Sequence, residues 1–239
     1  EQFDIADAIT AAVDNDYIYV VAGKYTIPGN TTKKITFIGV DQKDENGRYL
    51  TVIDLNGKVS EYNQNLSFKH ITFDLTKGEN PDRGFTHCTD LSYDECVFTG
   101  LYWGYDSSVS TFTNCTFQES TKYNVWTYGG NCTFNSCTFK TSTGTCINVY
   151  QTDAQTMHNV IFNNCKFINT GSEDKAAVLC KGKVGNYVQY ANVQINNCTT
   201  EGAFKKNDDG SPLWQIKDGP WDNITISVDG TQVYPSVVN

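Results

Sequence analysis

The chain has 239 residues, 39% hydrophobic and 13% aromatic, with 18 basic and 27 acidic side chains and a net charge of −9. That acidity argues against nucleic acid or an anionic membrane surface as partner. No run of about 20 apolar residues is present, so membrane insertion is not expected. The chain opens on Glu1-Gln2-Phe3 without Met, which suggests a mature or excised piece.

In chain order, Ile5, Ile9 and Val13 recur at helical spacing behind Asp4, a residue suited to the N-cap. This predicts a short amphipathic helix over Phe3–Val13. Residues 17–25 then alternate as a strand with Ile18 and Val20 inward. Asp41 to Arg48 reads as a charged outward loop. From Ile71 a phrase takes over, aromatic-x-Asn-Cys-x-Phe. It stands as Phe112-Thr-Asn114-Cys115-Thr-Phe117, Phe134-Asn-Ser136-Cys137-Thr-Phe139 and Phe162-Asn-Asn164-Cys165-Lys-Phe167. Weaker copies surround Ile71, Cys96 and Cys198. The intervals from Ile71 through these cysteines run 25, 19, 22, 28 and 33 residues. A repeat of roughly 20–50 residues indicates stacked units, none able to bury its own apolar face. Unequal intervals suit a coil of short strands whose loops grow outward.

Within the phrase, Cys and the last Phe lie two apart and share a strand face. The first aromatic has the opposite parity, so the chain must bend between them. Asn occupies that bend in three copies, and it tolerates left-handed backbone well. All three side chains then point inward, and copies stacked roughly 4.8 Å apart build inward columns of Phe, Cys and Phe, with Asn as a ladder at the corner. The expected fold is all-β: a single-stranded parallel β-helix over 17–239, with residues 1–16 as a helical cap over its open end.

On these residues the chain resembles the right-handed parallel β-helices of the pectate-lyase-like superfamily, in which an Asn ladder at a tight turn recurs. The opening Ile18-Tyr-Val-Val-Ala-Gly-Lys-Tyr25-Thr-Ile-Pro28 adds to the likeness. The resemblance covers roughly residues 17–230. It implies that the strand between successive phrases carries the binding or catalytic groove on its outer face. The superfamily holds lyases, hydrolases, esterases, tailspikes and adhesins, so fold leaves function open.

Nine cysteines would suit disulfides in a secreted protein. Here Cys96, Cys115, Cys137, Cys165 and Cys198 form one inward column with parallel side chains, a poor disulfide geometry. Cys132 shares the parity of Phe134 and also faces in. Mostly free, buried thiols are expected, without metal or other cofactor; Cys132 and Cys137 lack ligand spacing. Six Asn-x-Ser/Thr sequons occur, but Asn114 and Asn197 belong to the corner, so no glycosylation is read from them.

The groove strands are expected at 85–88, 101–105, 124–128, 146–150, 177–181 and 213–217. Alternation turns Trp103, Tyr105, Trp126, Tyr128, Asn148 and Tyr150 outward, followed by Lys181 and Lys217. This predicts an exposed aromatic strip suited to stacking on sugar rings. A register one residue off would bury the same rings in the core. Enzyme chemistry would need convergent ionisable groups, and the best set is Lys181 with Asp153 or Asp174 near His158. Other carboxylates at strand ends, such as Asp90, Asp106, Glu173 and Asp218, read as solvated turn residues. His70 and His87 read as strand or turn residues.

The favoured reading is a recognition module, adhesin-like or spike-like, displayed outside a cell or on a virion. It would bind a carbohydrate or host-surface receptor through the strip. A polysaccharide lyase or glycoside hydrolase using the same groove is the alternative, and a structural or decoration protein the third. Homo-oligomerisation is left open.

Overall fold

The computed structural model describes residues 4–56, 60–76, 85–105, 108–150, 157–172, 175–184, 187–219 and 223–235. Three sheets, of ten, eight and five strands, carry the fold. The ten-stranded sheet starts at Asp16–Tyr19, and its strands stack in parallel up to Ile224–Val228. Thr231–Tyr234 then returns antiparallel against that last strand. The eight-stranded sheet runs from Gly23–Tyr25 to Thr199–Gly202, parallel throughout. The chain visits the sheets in rotation, and from Tyr102–Trp103 to Thr199–Gly202 each coil adds one rung to each: a parallel β-helix, as the repeat predicts. No helix among the described residues is long and apolar enough to cross a membrane.

The phrase makes the corner between the ten- and eight-stranded sheets. The residue before the Cys position is left-handed in every copy: His70, Glu95, Asn114, Ser136, Asn164 and Asn197 have φ between 50° and 56°. One such residue reverses side-chain parity, so the aromatic before the bend and the Cys and Phe after it all face inward. The corners are tied along the axis. The Asn114, Ser136 and Asn164 amides donate to the carbonyls of Asn135, Asn163 and Asn196 one coil on, at 2.8–2.9 Å.

Inside, two aromatic columns result. Phe68, Tyr93, Phe112, Phe134 and Phe162 stack at centroid distances of 4.8–5.3 Å. Phe73, Phe98, Phe117, Phe139 and Phe167 stack at 4.7–5.2 Å. Edge-to-face contacts join the columns, such as Phe98 to Phe112 at 5.5 Å. Each such pair contributes about 0.5–1.5 kcal/mol beyond its buried area. The Cys column beside them is free of disulfides and all but buried, Cys198 being half-exposed. Each thiol lies against two carbonyls; Cys115 Sγ, for example, sits 3.3 Å from Thr113 O and 3.5 Å from Tyr93 O. Burial pushes the Cys132 and Cys180 thiols up to about 12, leaving them without thiolate character at neutral pH.

Two sequence expectations need correction. The amide ladder does not sit on the left-handed residues. It runs one position earlier, through Asn135, Asn163 and Asn196, with Nδ2 donating to Oδ1 at 2.9 Å in each step. Those residues end strands of the ten-stranded sheet, so their side chains line up along the axis. The N-terminal helix spans only Ile5–Ala11 and buries Ile5 and Ile9, whereas Val13 is exposed. Ala12 is already extended, and Lys33 Nζ closes the helix by donating to the carbonyls of Ile9, Thr10 and Ala12 at 2.7–3.0 Å. The charged 41–48 loop is outward, as expected, and is anchored at its end, where Thr72 Oγ1 donates to Tyr49 O at 3.1 Å and Arg48 pairs with Glu119.

The left-handed corner makes a direct prediction at Ser136, the one small hydroxyl residue among the six. Ser136→Asn should raise stability by roughly 0.5–1 kcal/mol. Ser136→Val, which brings a β-branched side chain to φ 53°, should lower it by about 1–2 kcal/mol. Urea unfolding curves of the three proteins measure both.

Candidate functional site

The five-stranded sheet comprises Tyr102–Trp103, Val125–Thr127, Ile147–Val149, Val178–Lys181 and Trp214–Lys217. Five of the six expected groove strands therefore coincide with it. The first, Phe85–Thr86, pairs instead with Ser60–Glu61 in a separate two-stranded sheet. Alternation works as read from the sequence: Val125, Ile147 and Val149 join the core, and the residues between them face out.

Two outward columns follow from the register. One runs Trp103, Trp126, Asn148, Leu179, Gln215. The other runs Tyr105, Tyr128, Tyr150 and then Lys181, with Lys217 registered beside it. Their rings form an apolar cluster separate from the main core. Gly130 helps bring its coil close, since a Cβ there would come within 2.7 Å of Gly104 O.

The strip is outward, as expected, but it is not bare. Trp103, Tyr128 and Tyr150 are buried, while Trp126 and Tyr105 are half-buried. The reason is the stacking that organises the core. Trp103 lies flat on Trp126 at 4.8 Å and 14°, and Tyr105 on Tyr128 at 5.3 Å and 16°. Trp126 also contacts Tyr150 at 4.3 Å and donates from Nε1 to Tyr150 O at 3.3 Å. Ring faces are thus spent on one another. The flat ring faces expected to be exposed are therefore largely covered.

The strip extends two coils further towards the N-terminus than the sequence pattern indicates. His87 meets Tyr105 edge-on at 4.9 Å and stacks on Tyr62 at 5.1 Å and 10°, and Tyr62 is half-exposed. Both take left-handed backbone, Tyr62 at φ 57° and His87 at φ 53°. The shared interval between Tyr62 and His87 was the available signal, but both lie before the phrase becomes regular.

At the other end the track turns cationic. Lys181 Nζ sits 4.6 Å over the Tyr150 ring. Burial holds the Lys181 amine below its ordinary value, and the charges of Lys217 and Lys175 push the same way against Asp218. Burial likewise raises the Tyr150 phenol, helped by Tyr128 and Tyr123. Two lysines directly opposite on neighbouring strands repel, a local cost without structural return. Asn148 is the other anomaly: it is fully buried, and neither its amide oxygen nor its nitrogen has a hydrogen-bond partner. A buried amide without partners costs about 1–3 kcal/mol.

The proposed catalytic set does not assemble among the described residues. Asp153 and Asp174 lie outside them. His158 begins a strand of the ten-stranded sheet and is buried there rather than ending a loop. The described outward positions of the five-stranded sheet carry no carboxylate and no Arg. Lys181 and Lys217 are the ionisable groups brought together.

Neither a known family profile nor a curated protein matches this chain. Among solved structures, it is similar to a pectin methylesterase in complex with hexasaccharide VII, at 11% identity and TM-score 0.50. It is also similar to a mutant pectin methylesterase in complex with hexasaccharide IV, at 13% identity and TM-score 0.51. Each match covers 98% of this chain and 87% of the other. At this identity the likeness establishes the fold alone, a parallel β-helix.

If Lys217 and burial together hold the Lys181 amine down, Lys217→Gln should move its titration up, towards the ordinary lysine value. Side-chain NMR of the lysine ε-methylene across pH 8–11 reads this, and an unchanged midpoint would refute the coupling.

Proposed function

We propose that the outer face of the five-stranded sheet is a carbohydrate-recognition surface and that the chain acts as a binding module. The observation that carries this reading is an aromatic cluster outside the core, continuous from Tyr62 to Tyr150 and ending on a lysine pair. A purely structural coil has no use for opposed lysines or an unsatisfied buried amide at one face. Tyr105, Tyr128 and Tyr150 hydroxyls would hydrogen-bond sugar hydroxyls, and the half-buried Trp126 ring would supply apolar contact. The similar structures were solved with hexasaccharides bound, which supports a saccharide as the ligand class. In this reading the module is adhesin-like or spike-like and works at a cell or virion surface. Its receptor is a glycan on a host or neighbouring surface.

One observation favours the enzyme reading as runner-up. A lysine amine held low by burial is the kind of group that serves as a base in a lyase. The carboxylate that acts on it among the described residues, Asp218, lies beyond the strand end, so binding remains the better-supported role.

A glycan-array screen of the wild type beside Trp126→Ala and a Tyr105→Phe, Tyr128→Phe double variant tests the proposal. The wild type should bind a defined glycan class, and each variant should lose tenfold or more while keeping its thermal midpoint within a few degrees. Equal binding by all three would move recognition off this face. Release of unsaturated sugar products from a bound glycan would promote the lyase reading.

A further inference from the structure

A second surface lies at the N-terminal end of the coil, outside the groove. Asp16–Tyr19 is the first strand of the ten-stranded sheet and, among the described residues, has a strand neighbour on one side only, Ile35–Ile38. Proteins normally blunt such an edge with charge, proline or cover. Here the reverse holds. Among the described residues seven large apolar side chains are exposed, and four of them, Val13, Tyr17, Tyr19 and Val21, flank or occupy this strand at 63–76% exposure. Beside the edge runs a groove of about 610 Å³ between the strand and the N-terminal helix. The strand side offers Ile18, Val20 and Val21, and the helix side offers Ala8 and Ala11, whose small side chains leave the space open.

The charged residues that line the groove are acidic. Asp4 and Asp7 line it, Asp14 precedes the strand and Asp16 begins it. Of the nearby lysines, Lys33 holds the helix carbonyls, Lys24 pairs with Asp54 and Asp74 at 3.1 Å, and Lys34 stands exposed on the next rung, outside the groove lining. Two copies meeting through this edge would set acid against acid. A basic partner would be attracted.

We propose that this edge is a strand-addition site for an extended peptide that alternates apolar and basic residues. Backbone hydrogen bonds to Asp16–Tyr19 would continue the sheet by one rung. Side chains of one parity would fill the groove against Ile18, Val20, Ala8 and Ala11, and lysines or arginines would reach Asp4 and Asp7. This is recognition by β-augmentation, in which the backbone supplies affinity and the pockets supply specificity. It is independent of the glycan surface.

The probe is a fluorescein-labelled hexapeptide of alternating valine and lysine, titrated with the whole chain at low salt and followed by anisotropy. Saturable binding is expected, weakened tenfold or more in the glutamate-for-lysine peptide and in a backbone N-methylated peptide that cannot complete the ladder. Ala8→Leu, which fills the groove with a good helix former, and Asp7→Asn should each weaken it at least threefold. Three results would overturn the proposal: no saturation at millimolar peptide, equal binding of the glutamate peptide, or a dimer in sedimentation of the protein alone that Ala8→Leu abolishes. The last would assign the edge to a second copy.

Discussion

The fold depends on one backbone conformation repeated along the axis. A single left-handed residue before each Cys position reverses parity, and only then can both flanking strands send their aromatics into one core. Were that residue extended, either the Cys and Phe or the preceding aromatic would face water, and the columns would not form. The conformation has a cost in L-residues of about 1–2 kcal/mol per position. It is offset by the ring stacks and by the corner hydrogen bonds that tie each coil to the next. Asn fills three of the six positions, and His70 and Glu95 hydrogen-bond each other across two of the remaining three at 2.8 Å.

The same axial spacing explains the outer cluster. Side chains that repeat on one face of successive rungs arrive about 4.8 Å apart, close to ring-stacking distance. Trp103 on Trp126 and Tyr105 on Tyr128 are therefore the external counterpart of the phenylalanine columns. Inside, stacking fills the core. Outside, it builds a track flanked by features that do not help folding: the opposed Lys181 and Lys217, and Asn148 without partners. Local costs concentrated on one surface are the usual sign that the surface does something other than hold the fold together.

How far the chain can be read from residues alone follows from which interactions are local. The parity of Cys and Phe, the bend between them and the stacking of copies depend on neighbours two or three residues apart, so the fold and the outward direction of Trp103, Trp126 and Tyr128 were legible. Cover was not. Parity says which way a ring points, not whether a ring one coil away, some 22–25 residues distant in the chain, will lie flat against it. The amide ladder was displaced by one residue for a related reason, because the corner Asn was credited with both the backbone turn and the side-chain chain. The helix end at Ala11 depends on Lys33, a residue far along the sequence. His87 and Tyr62 escaped because their coils precede the regular phrase.

The most direct test of the account is hydrogen–deuterium exchange of the intact chain, with and without hexasaccharides from a panel of neutral and acidic glycans. Binding on the five-stranded sheet predicts added protection in peptides covering 102–105, 125–128, 147–150, 178–181 and 214–217, with the ten-stranded sheet unchanged. Protection confined to another face, or no glycan that protects any segment, would contradict it.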